Sequence, residues 1–157
     1  MPAVTRLARL SLILPICAAL ALPLSPAVAQ ERTLTVEGGQ ASAPVGVLVQ
    51  VRSVRVSPDA TVLHLLASFD SQATSFINLN DSQNAYLEYG DGQRLHLRQV
   101  PDNPWLRVVN GETLEGDLVF PGTLPADVNK VVLVLNPGNA ADDTDAPGMR
   151  LTLVLAS

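Results

Sequence analysis

The sequence predicts an all-β protein, an antiparallel β-sandwich of about eight or nine strands preceded by a cleaved signal peptide. Three observations carry that expectation. After residue 30, apolar residues recur with period two, the spacing of a strand with one buried face. Prolines and glycines, twelve and ten in the chain, break the sequence about every ten residues into short runs with turn signals between them. Stretches with the 3.6-residue period of a helix are nearly absent from the same region.

Residues 1–29 read as the signal peptide. Arg6 and Arg9 form a short basic region, Leu10 to Leu24 an apolar one, and Ala27-Val28-Ala29 a small-residue cleavage site. Pro15 and Pro23 interrupt the apolar run, which is too short and broken for a permanent anchor. Ile16 stands before Cys17, where lipid attachment needs a small residue. Export to the periplasm or beyond is therefore expected, with cleavage near Ala29, a single domain at 30–157, and no stable membrane insertion afterwards. Cleavage removes Cys17, the only cysteine, so stability must come from core burial rather than disulfides. A chain of this size buries about two thirds of its unfolded surface, enough for one domain.

The strands follow in order. Thr33 to Glu37 is the first, ended by Gly38-Gly39. In VGVLVQVRSVRV, Val45 to Val56, Val45, Val47, Val49 and Val51 share one face while Val54 and Val56 fall on the other. A bulge near Arg52-Ser53, or a crossing between sheets, would absorb the slip. Ser57-Pro58-Asp59-Ala60 is a type I turn with proline at its second position. Beyond it Leu63, Leu65, Ala67 and Phe69 point inward, and His64, Leu66 and Ser68 outward. Ser75 to Leu79 is a weak strand followed by polar loop from Asn80 to Asn84. AYLEY and QRLHLRQV, joined at Gly90-Asp91-Gly92, form a hairpin with Leu87, Tyr89, Leu95 and Leu97 inward. Leu106 and Val108 lead into a glycine turn at Asn110-Gly111, with Leu114, Leu118 and Phe120 on the strand beyond. Two strands are thus expected to flank a glycine turn. Val131 to Leu135 is apolar throughout, which suits a central strand covered on both faces, and Leu151, Leu153 and Leu155 line the last.

These segments carry a family likeness. The strand-turn-strand VRVSPDATVLHLLASF, the hairpin AYLEYGDGQRLHL, the NGETLEGDLVFPG segment and the apolar pair VVLVL and LTLVLA together resemble the telokin-like superfamily of bacterial secreted immunoglobulin-like domains, of which an immunoprotective extracellular protein is one. The resemblance implies an immunoglobulin-like sandwich and an extracytoplasmic address. It supplies no catalytic residues to carry over.

Charge narrows the function further. Cleavage takes two of ten basic residues and none of fifteen acids, moving the formal charge from −5 to −7. Lys130 is the sole lysine, so no basic patch exists to neutralise phosphates, and nucleic acid is not expected as a partner. No glycine-flanked serine elbow, Ser-x-x-Lys, His-Glu-x-x-His or phosphate-cradling loop occurs, and the chain reads as a non-enzyme without a cofactor.

Binding is the expected role, to an envelope or extracellular protein, through loops at the sandwich ends. Asn78 to Asn84, Pro101 to Trp105 and Asn136 to Pro147 are the loops concerned. Trp105, the only tryptophan, follows Asp102, Asn103 and Pro104 and is either a contact aromatic or a cap on the core. Asp142, Asp143 and Asp145, with the Asn136 and Asn139 amides, gather oxygens in one loop, the ligand type that calcium takes, though without the spacing of a known calcium motif. His64 and His96, the only histidines, would share a transition metal if their strands were neighbours. A metal- or small-ligand-binding accessory domain and a structural envelope component are the competing roles. An exposed edge such as Val45 to Val51 would be open to strand addition.

Overall fold

A computed structural model describes residues 30–156; the expected signal peptide, its cleavage site at Ala29 and Cys17 lie outside the described residues. Every regular element described is a strand, and none of these residues forms a helix long and apolar enough to cross a membrane. The strands are β1 (Arg32–Gly38), β2 (Gln40–Ala43), β3 (Val47–Val56), β4 (Ala60–Phe69), β5 (Phe76–Asn78), β6 (Tyr86–Tyr89), β7 (Gln93–His96), β8 (Arg107–Val109), β9 (Thr113–Pro121), β10 (Lys130–Leu135) and β11 (Met149–Ala156). Nine form one antiparallel sheet in the order β7-β6-β10-β11-β1-β3-β4-β9, with β2 alongside β3; β5 and β8 form a second. The all-β antiparallel fold expected from the alternation is the one observed.

The large sheet curls back on itself. Just past β7, the Arg98 amide donates to the Val119 carbonyl of β9 at 2.8 Å, bringing the two outermost strands together in a sandwich- or barrel-like arrangement. Gly122 makes room for this approach, since a Cβ there would lie 2.7 Å from a Leu95 methyl.

Strand β1 serves two neighbours. Its first half pairs with β3 and its second with β11, and after the Gly38-Gly39 jog β2 takes over beside the other half of β3. Gly39 sits at φ +53°, with Val36 2.5 Å from where a Cβ would stand, so a side chain is refused on both counts.

The core joins inward residues of both sheets, Leu63, Leu65 and Phe120 of the large one with Ile77 and Val108 of the small. The register between β3 and β4 shifts between Val51 and Ser53, leaving Arg52 unpaired. That bulge keeps Val51, Val54 and Val56 all buried, so the slip in the valine pattern is absorbed within one strand.

The structure corrects or sharpens several expectations. Val45 to Val51 is no edge, because β3 lies between β4 and β1 with β2; β2, QASA, has no apolar alternation to announce it, and the strands number eleven among the described residues. Two strands do flank the turn at Asn110-Gly111, but they do not pair with each other. β8 pairs with β5, whereas β9 runs nine residue pairs along β4, and that longer ladder draws the chain from one sheet into the other. Asn80 lies in the loop expected there, between β5 and β6, and is buried within it, at 2% exposure. The strands of His64 and His96, β4 and β7, do not pair.

Candidate functional site

The region around β5, β8 and the loop from β10 to β11 is built by asparagines that take the place of backbone partners. Asn136, 2% exposed, donates from Nδ2 to the carbonyls of Asn78 (2.8 Å) and Pro147 (3.0 Å) and accepts at Oδ1 from the Asp81 amide (2.8 Å). Its φ of +45° suits asparagine, which tolerates the left-handed region. Asn80 accepts from the Ala85 amide and donates to the Pro104 carbonyl, while its own amide donates to the Trp105 carbonyl at 2.9 Å. Asn110 clamps the amide and carbonyl of Ser71 at 2.7 Å each. Asn103 does the same to Arg107, accepting from its amide at 2.8 Å and donating to its carbonyl at 3.0 Å.

These ties set the candidate residues. Asn103 is therefore a clamp on the start of β8, and Asp102 beside it is exposed. Trp105 is 45% exposed although its neighbours on both sides are fixed. Leu106 follows at φ +48° and is buried. The left-handed backbone, which costs a leucine about 1–2 kcal/mol, turns Leu106 into the core and leaves the indole outside. The cap reading for Trp105 thus falls to Leu106.

In the β10–β11 loop, Asp143 Oδ1 accepts from the amides of Asp145 (2.9 Å) and Ala146 (2.8 Å). The bonds from Ala146 first, and Asp145 second, hold its carboxyl below the usual carboxylate range. Asn139 donates to the Ala146 carbonyl, so Asn136 and Asn139 both spend their amides closing the loop. Asp142 is exposed at its tip. Among the described residues no three His, Cys, Asp or Glu side chains are grouped to hold a metal.

The folding of this loop against β5 and β8 makes a groove of about 470 Å³, lined by Phe76, Asn78, Asp81, Arg107, Asp143 and Asp145 among others. Asn78 and Asp81 fall in the Asn78 to Asn84 loop expected to bind, whereas Phe76 and Arg107 were not singled out by sequence. The available signal was Arg107 between buried Leu106 and Val108, and the asparagines interrupting the apolar run FINLN.

On the outer face of the large sheet, His64 lies between two carboxylates, Nδ1 to Asp117 at 2.9 Å and Nε2 to Glu115 at 3.1 Å. Arg55 reaches the other oxygen of Asp117 at 2.8 Å. Asp117 first, then Glu115, raises the imidazole above its ordinary pKa. His96 instead tilts against the Tyr86 ring at 5.9 Å between centroids. The chain matches no protein-family model, no curated protein and no solved structure.

Proposed function

We propose that the chain is an exported, non-enzymatic domain of the telokin-like kind that binds a protein or other envelope partner through the surface around Trp105. The exposed indole carries this reading. The chain has six aromatic residues, and a core with so few rings has reason to keep its largest, yet Trp105 stands out on a loop pinned through Asn80 and Asn103. Rigid exposed aromatics lose little freedom on binding and recur as the anchors of interfaces. Val109, on β8, is a second exposed apolar residue nearby in sequence.

Export rests on the N-terminal pattern, and is checked by sequencing the mature protein from an envelope or culture fraction, which should begin at Gln30. For binding, the test is capture from that fraction by wild type and by Trp105→Ala at matched folded concentration. A partner should be held by the first and lost by the second, with unfolding midpoints within about 0.5 kcal/mol, as for a surface change. Equal retention by both would overturn the assignment to Trp105.

A further inference from the structure

Charges of opposite sign line the groove beside β5 and β8 without pairing to one another. Elsewhere in this fold arginines and acids within reach do pair, Arg55 with Asp117 and both Arg94 and Arg150 with Glu88. Arg107 stands in no ion pair among the described residues, although Asp81, Asp143 and Asp145 share its groove. The cause is local. Asn78 accepts from Arg107 Nε at 3.1 Å and donates to Asp81 Oδ1 at 3.3 Å, so a single amide spaces the cation from the anion. Phe76 lies under the guanidinium, 4.1 Å from its carbon to the ring centroid, and fixes its plane. Asp143 is held through Oδ1 by its two backbone amides. The Arg107 terminal nitrogens, one oxygen each of Asp81 and Asp143, and both oxygens of Asp145 make no hydrogen bond among the described residues.

We propose that this groove binds a small zwitterion carrying one carboxylate and an excess of amino groups, the chemistry of a free basic amino acid. The ligand carboxylate lies on the two terminal nitrogens of Arg107, whose fork matches a carboxylate with two parallel hydrogen bonds. The ammonium groups lie among the aspartates, which outnumber the guanidinium three to one in the lining. An anion alone would face those carboxylates, a cation alone would face Arg107, and a neutral polyol would draw on neither charge. The site goes beyond the Trp105 surface and needs no envelope partner to be tested, so the two readings fail separately.

The test is calorimetric titration of the mature domain with L-lysine, with cadaverine, which is lysine without its carboxylate, and with hexanoate, which lacks the amines. Glucose and calcium chloride are two further arms. Lysine should bind, with cadaverine and hexanoate at least tenfold weaker. Arg107→Gln should weaken lysine at least tenfold. Asp145→Asn should weaken it severalfold, and because the Asp145 side chain makes no bond within the fold, this variant remains informative if the first is unstable. Heat from cadaverine equal to that from lysine would reduce the groove to an acidic patch and overturn the proposal. So would a response to glucose or calcium with none to lysine, or unchanged lysine binding in Asp145→Asn.

Discussion

In the large sheet most residues that face inward are leucines, valines and phenylalanines, and neighbouring strands are joined by long backbone ladders, with the β3–β4 one interrupted at Arg52. Around β5 and β8 the ladder is three residues long, and asparagine amides supply the partners that missing strands would have given. Asn136 alone bridges Asn78, Asp81 and Pro147. One region is held by area removed from water, which tolerates exchange of one apolar residue for another. The other is held by directed bonds to particular carbonyls and amides, which no other side chain reproduces. The second kind of construction is what exposes Trp105 and keeps Arg107 apart from the aspartates, because it fixes positions without a sheet on either side.

The largest expected effect strikes the first region. Phe120→Ala empties a fully buried position and should cost about 3–5 kcal/mol in denaturant unfolding. A loss under about 1 kcal/mol would mean that the two sheets close over the gap and that the core is less specifically packed than its burial shows. Next comes Asn136→Asp, which preserves shape and removes both donors. Two buried carbonyls then lose their partners, at about 1–3 kcal/mol each, for a total of about 2–6 kcal/mol. If this variant unfolds with the wild type, the amide ties contribute nothing and the contrast between the regions collapses.

The same contrast decides what was legible in the sequence. Inward positions of β3, β4, β9 and β11 follow from alternation because burial repeats every second residue, and even the slip at Arg52 announced itself as two valines out of phase. The longest ties of Asn136, Asn80 and Asn110 answer to backbone 24 to 58 positions away, and no local period records them. Asn136 and Asn139 read as candidate metal ligands, and Asn80 as polar loop, because an amide that replaces a strand has the same spelling as one that faces water. Trp105 and the Asp143 loop were found as residues. Their division of labour was not, since it depends on the φ of Leu106 and on which oxygen the amides of Asp145 and Ala146 occupy.

The smallest effects separate the regions by pH, and with opposite signs. His64 on β4 is raised above its ordinary pKa by Asp117 and Glu115 on β9, so the cross-strand stabilisation is complete below about 6.5 and is lost as pH rises through the folded-state value. With 36% of the side chain exposed, the contribution is that of a surface pair, about 0.2–1 kcal/mol, and salt diminishes it. Asp143 is lowered by backbone amides, so its contribution is present above the ordinary carboxylate range and is lost as pH falls through its folded value. Alkali therefore loosens the β4–β9 face and acid the β10–β11 loop. His64→Gln should match wild type in unfolding free energy at pH 8.5 and fall below it at pH 5.5, while Asp143→Asn should show its deficit at pH 5.5 and lose it towards pH 2. Parallel profiles for His64→Gln and wild type between pH 5.5 and 8.5 would mean that Arg55 alone satisfies Asp117 and that the histidine is a bystander on its own sheet.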